Sequence, residues 1–336
     1  MTATLPTPSP APAPQPSGDD LRAALAGGTL RRSRRVRNSL ASVAMVLSFL
    51  VVAAPLVVMG YNVVSKGIGV VMTTDWWTQP IPSDVGRADL AGNKDLADLG
   101  FGDTSAATED TSVQLGMQPA IVGTLLTVFG ASALAIPLGI LGAVYLNEYG
   151  RKGRLARFIR FMTDVMVGVP SVVMGVFIYS IWVLRFGTNG KSAFAASLAL
   201  ACLMLPIVVR STEEMLRLVP NSLREASAAL GTRKFRTTLR VVLPAALPGI
   251  TSGALLAVAR AAGETAPIVF TIGIVFSTNF RFQGQNTTLS AQIYSQLQNG
   301  GSLATSLAWG AAVTLVAIVV VLTVAARFVA RRLVVR

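Results

Sequence analysis

The sequence predicts an all-α, polytopic membrane protein with six transmembrane helices and both termini in the cytoplasm. Three observations predict it. Hydrophobic residues make up 52% of the 336-residue chain and charged residues 13%, more apolar surface than one soluble domain could hide. The apolar residues gather in six long runs, near Leu40–Val64, Ala120–Leu146, Phe158–Leu184, Ser192–Val209, Ala246–Ile274 and Ser302–Val329, each long enough for a hydrocarbon core of about 30 Å. With the N-terminus inside, 22 of the 29 Lys and Arg residues fall in cytoplasmic segments or at the cytoplasmic ends of spans, six fall outside, and Arg260 is the one left in the membrane interior, as the positive-inside rule requires. The net charge of +13 therefore reads as topology, not as a nucleic-acid surface.

The same composition excludes several classes of function. The chain has no histidine and one cysteine, Cys202, in an apolar run. This removes histidine acid–base catalysis, Cys/His metal sites and internal disulfides, so no metal or cofactor is expected. Cys202 reads as a small core residue. An intramembrane enzyme would need a carboxylate dyad, and the sequence places only Glu264 deep in a span.

In chain order, residues 1–38 form a tail with proline at every second position from Pro6 to Pro16, a composition that builds no core. Its basic cluster of Arg31, Arg32, Arg34, Arg35 and Arg37 directly precedes an apolar run, the wrong order for a cleavable signal peptide. The first helix is placed at 39–64. Residues 65–117 form an extracytoplasmic loop, with Trp76-Trp77 positioned as an interfacial anchor. The acidity of this loop reads either as a docking surface or as the plain result of excluding Lys and Arg from that side. A five-helix core at 118–330 and a short cytoplasmic tail at 331–336 complete the chain.

Within the core, Pro137, Pro170 and Pro206 are expected to kink their spans. Asp164 is expected to cap or snorkel at a helix end. Gly249 and Gly253 form a GxxxG of the kind that packs helices closely. The stretch Gly187 to Ser192 resembles a phosphate-binding P-loop, but Arg185 stands where the first glycine is needed, so this chain is not expected to bind ATP itself. Residues 277–301, rich in Asn, Gln, Ser and Thr, read as a folded cap or as a solvated linker.

Val219 to Pro267 joins a basic, alanine-rich segment to an apolar one. Ser222 and Glu225 have the S-x-x-E spacing of a capping box, which starts a helix. Gly231 closes it about two turns later. The alanines between offer little to bury within their own subunit, so the helix suits docking on another protein. Farther on, Arg260 and Glu264 are four apart, on one helix face and about 6 Å apart along its axis. Charges at mid-membrane mark a pathway, or the two neutralise each other as a structural pair.

These residues carry a family resemblance. Glu225-Ala226, Gly231 and Leu243-Pro244 resemble the EAA loop of ABC importer permeases, with Ser227 in place of the second alanine and Val241 in place of isoleucine. Arg260 to Pro267 resembles the matching segment of phosphate-specific transport permeases of the A type, as do Tyr145–Tyr149, Gly168–Ser171, Leu205-Pro206 and Thr212–Glu214. The resemblance implies a type I ABC importer permease with a MetI-like transmembrane fold, not an enzyme, in a bacterial plasma membrane among lipid. It implies partners: a second homologous permease, two ATP-binding subunits on the cytoplasmic face and an extracytoplasmic phosphate-binding protein. The loop 220–244, with Ser222, Arg224, Glu225, Ala226 and Gly231, would couple to the ATPases. Arg260, Glu264 and Thr265 would line the path of inorganic phosphate. Another oxyanion, such as phosphonate, sulfate or molybdate, fits the same arginine. A secondary transporter predicts an inverted repeat, and none is evident.

Overall fold

In the computed structural model, residues 32–82, 115–150, 153–187 and 190–334 are described, and among them the regular structure is helical. The remainder of the tail, most of the acidic loop, and Thr188 and Asn189 of the P-loop-like stretch lie outside the described residues. The chain divides into two units, residues 1–60 and 61–336. The first unit holds most of α1 (Arg32–Val71), a 40-residue helix that includes Pro55. This helix is longer than the 39–64 expected: it takes in residues 32–38 read as tail and 65–71 read as loop. Among the described residues five helices are long and apolar enough to cross a membrane, or six if one bent pair is a single span.

The second unit is built around α3 (Gln118–Val144) and α6 (Ala193–Leu218). Every fourth residue of α3 from Gly123 through Thr127, Ala131, Ala135 and Gly139 to Ala143 is buried. Spacing of four keeps them on one face. They admit α6 so closely that a Cβ on Gly139 would lie 2.7 Å from Val208 Cγ1. The Ser197 hydroxyl crosses the same seam to the Thr127 carbonyl at 3.1 Å. On its other side α6 meets α9 (Leu243–Gly263), where Gly249 and Gly253 lie directly against Met215 and Ser211, as the GxxxG predicts. Cys202 sits half-buried beside a small core of Ile178, Val183, Ala195 and Ala199.

Two expected spans are broken. The third is a pair, α4 (Arg154–Gly168) and α5 (Ser171–Ile178), the latter prolonged by a π turn at Tyr179–Val183; the pair bends by 106°. Pro170 lacks the N–H that would continue α4 and holds Val169 extended, so a full break replaces the expected kink. The fifth span ends at Gly263, and α10 (Ala266–Thr271) starts after Glu264 and Thr265. Pro267 cannot donate to the Gly263 carbonyl and its ring would strike it; instead it occupies the first turn of α10, where its missing N–H costs nothing. Pro137 and Pro206 lie inside continuous helices.

At one end of the core, α2 (Thr74–Thr78) carries Trp76, fully buried against α12 (Ser302–Val334). Its ring lies on Gly310 and its indole N–H donates to Thr314 Oγ1 at 2.9 Å. Trp76 is therefore a core residue, not the interfacial anchor expected; Trp77 keeps 44% exposure. Residues 277–301 are folded. Asn286, Thr287 and Thr288 are buried, Leu289 N–H donates to Thr124 Oγ1 at 2.9 Å, and α11 (Leu289–Asn299) follows. Asp164, expected to cap or snorkel at a helix end, pairs with Arg210 at 2.9 Å, both about half exposed, and so bridges two helices.

Replacing Gly139 by leucine should force the α3–α6 seam apart and cost about 1–3 kcal/mol. The thermal midpoint of the purified chain in detergent should fall, and Gly69→Leu, which meets open space, should leave it nearly unchanged.

Candidate functional site

Two places gather the residues singled out by sequence. The first surrounds α7 (Asn221–Ala229). The helix starts after Pro220, and no side chain caps it. Ser222 is thus inside the first turn, exposed, and does not form the capping box expected of it. Pro220 itself holds an extended φ, ψ of −58°, 140° as the residue before the helix, and this starts the helix two residues early. Gly231 closes the segment as expected, with φ of +73° and its N–H on the Ala228 carbonyl at 2.9 Å. Glu225 and Ala226 face outward, with Leu223 at 42% and Leu230 at 83% exposure beside them.

Ser227, which departs from the EAA pattern, faces inward. Its hydroxyl meets Thr232 Oγ1 at 2.5 Å and Thr237 Oγ1 at 2.9 Å, tying α7 to α8 (Lys234–Thr237) and the π turn Thr238–Val242 that leads into α9.

Arg224 also turns inward. It donates from Nη2 and Nε to Glu148 Oε1 at 2.9 and 3.3 Å, and from Nη1 to the Val219 carbonyl at 2.7 Å. Glu148 lies on a π turn, Tyr145–Tyr149, that ends α3. Alongside, Glu213 of α6 accepts from Arg160 Nε at 2.9 Å and Arg217 Nη2 at 2.6 Å. Glu148 and Glu213 side chains are 5% and 4% exposed, more buried than Glu264, which the sequence placed deepest. The three arginines line an open polar cavity of about 360 Å³ with Asn147 and Asn221. Sequence reasoning missed both carboxylates, since Arg160 is 53 residues from Glu213 and Arg224 is 76 from Glu148. Their three arginine partners gave no local signal; the family-like stretches Tyr145–Tyr149 and Thr212–Glu214 contain both carboxylates but did not mark them as a site.

The second place is the break between α9 and α10. Arg260 Nε approaches Glu264 Oε1 at 3.4 Å, with side-chain exposures of 61% and 19%. The two meet as their spacing predicts, but Glu264 is the residue after the helix end, not part of its interior. The Glu264 carbonyl at the break accepts from Ser290 Oγ at 3.2 Å. Thr265 is half-buried between the helices. The 21 residues of α9, about 30 Å of helix, lie between this break and the segment that holds α7 and α8. Among the described residues no group of His, Cys, Asp or Glu could hold a metal ion.

Residues 135–335 match the family described as binding-protein-dependent transport system inner membrane component. The chain belongs to this family. It is therefore an inner-membrane component of a multi-part transport system and not an enzyme. Similar over most of its length is the phosphate transport system permease protein PstA 1 of Mycobacterium tuberculosis, 42% identical over 308 residues, 90% of this chain and 91% of the relative. The PstA protein of Mycobacterium leprae is 42% identical over 287 residues, 85% and 86% of the two chains. Among solved structures, the inward-facing MetNI methionine ABC transporter covers 64% of this chain and 93% of its own, with a TM-score of 0.52 at 21% identity. A bacterial ABC transporter involved in import of the acidic polysaccharide alginate covers 90% and 99%, with a TM-score of 0.54 at 13% identity. These two support the family fold alone.

Replacing Ser227 by alanine removes two hydroxyl contacts while Thr232 still donates to the Ser227 carbonyl. The expected loss is about 0.5–1.5 kcal/mol, seen as faster amide hydrogen exchange in residues 230–238 with the α3–α6 seam unchanged.

Proposed function

We propose that this chain is the permease subunit of an ATP-driven inorganic phosphate importer and forms half of the translocation path. The observation that carries the reading is likeness over nine-tenths of the chain to permeases named for phosphate transport. The site geometry agrees with it. Glu225, Ala226, Leu223 and Leu230 present a mixed acidic and apolar surface on a helix whose inner side is fixed by Ser227 and Arg224. Such a surface suits two separate ATP-binding subunits, one on this chain and one on a second homologous permease.

In this reading the N-terminus, α7 and the C-terminus are cytoplasmic, because the basic residues concentrate there. Residues 118–330 form the permease core. An extracytoplasmic phosphate-binding protein delivers the substrate to the other face. Arg260, largely exposed in the isolated chain, offers a forked, permanently charged donor to the passing oxyanion. Glu264 holds the guanidinium in place and keeps the anion from binding too tightly, and Thr265 adds a hydroxyl at the helix break. Alternating access follows from ATPase closure at the α7 end.

Uptake of radiolabelled phosphate and sulfate into vesicles holding the assembled complex tests this. ATP-dependent uptake of phosphate over sulfate is expected. Loss of a charge-assisted hydrogen bond in Arg260→Gln should slow it about 10- to 100-fold, and Glu225→Ala should slow it with normal expression. Full uptake by Arg260→Gln, or uptake without ATP, would overturn the assignment.

A further inference from the structure

We infer that Arg224 and Glu148 form the strut by which α7 moves α3, and that Arg224 is a positioning residue facing the permease core instead of an ATPase contact. This rests on the proposed role of α7 as the ATPase docking helix. The donors are fully committed. A guanidinium has five N–H groups, and the structure gives Arg224 five acceptor contacts: Nε and Nη2 to Glu148 Oε1, Nη2 to the Leu216 carbonyl at 2.9 Å, and Nη1 to the Val219 carbonyl and Asn221 Oδ1. Its side chain is 15% exposed, whereas the neighbouring Glu225 is open. Arg224 therefore has nothing left to offer a partner subunit.

The acceptor is placed where α3 can respond. Glu148 lies on the wider π turn at the end of α3 and also accepts from Asn147 Nδ2 at 2.9 Å. π turns interrupt the regular ladder and cluster at functional positions. Two further links reach the same turn: Arg160 Nη2 donates to the Leu146 carbonyl at 2.9 Å while its Nε holds Glu213, and Lys234 Nζ lies 5.0 Å over the Tyr149 ring. The segment around α7 is thus pinned to this turn at both of its ends, by Arg224 and by Lys234. A displacement of α7 has to carry the turn with it or leave a buried carboxylate unpaired, which is the unfavourable outcome.

The test uses the assembled complex in vesicles, with phosphate transported per ATP hydrolysed as the readout. Glu148→Gln, nearly isosteric, Arg224→Gln and Arg224→Lys should each lower that ratio and kcat for phosphate about tenfold, with KM for phosphate and co-purification of the ATPase subunits as in wild type. Glu148→Gln combined with Arg224→Gln should do no more damage than either alone, because both remove the same link. Multiplying effects in the double variant, an unchanged ratio, or loss of the ATPase subunits with Arg224→Gln would each overturn the strut. If wild-type uptake needs no ATP, or if Glu225→Ala leaves ATPase binding intact, the docking role of α7 fails on its own terms, independently of Glu148.

Discussion

Everything in the second unit depends on how closely α3 and α6 can approach. In lipid no hydrophobic force drives two apolar helices together, since hydrocarbon tails serve as well as leucine. Association then rests on packing contact, which small residues allow. The stripe from Gly123 to Ala143 gives α3 a face with almost no side-chain depth, and α6 fills it with Leu200, Met204 and Val208. On its far side α6 meets a second shallow face at Gly249 and Gly253 of α9. The central helix is therefore held between two glycine- and alanine-lined surfaces, and the ends of all three helices carry the charged residues of the two candidate places.

Ion pairs in this chain do two different kinds of work. Arg210 and Asp164 are each about half exposed, and a pair of that kind contributes about 0–1 kcal/mol. Glu148 and Glu213 are nearly inaccessible, and removing one partner from a buried pair costs about 3–5 kcal/mol because a charge is stranded. That penalty contributes less to net stability than to geometry. It restricts which arrangements of α3, α4, α6 and α7 are accessible, as a joint does.

Hydropathy made the helices legible and hid their interruptions. It averages over a window and is blind to the backbone, so it ran through Val169-Pro170 and through Glu264–Pro267 without a pause. The needed signal was present: at both breaks a glycine, Gly168 or Gly263, stands shortly before the proline, and glycine favours leaving a helix where proline forbids continuing it. Pro137 and Pro206 follow apolar helix formers instead, and there the helix persists. Ser222 misled because S-x-x-E is a local pattern, while the start of α7 was set by Pro220. The exposed face of α7, Gly231 and the Arg260–Glu264 contact were legible because each is local. Glu148 and Glu213 were not, because their arginines lie dozens of residues away and only the fold brings them in.

The two charged places lie at opposite ends of the 21-residue α9, about 30 Å apart along a helix, and a helix of that length transmits displacement without absorbing much of it. Flexibility has to sit elsewhere. The structure puts π turns next to α7 on both flanking rods, Tyr145–Tyr149 at the end of α3 and Thr238–Val242 at the start of α9. Each is where the hydrogen-bond ladder is least regular, and each is bound to α7 by a side chain, Arg224 in one case and Ser227 through Thr237 in the other. In the proposed coupling, motion entering at α7 meets two compliant turns before two stiff helices. The far end of α9 is the Glu264–Thr265 break, where the Glu264 carbonyl is already held by Ser290, so a shift of α9 arrives at Arg260 as a change of position with little loss of backbone hydrogen bonding.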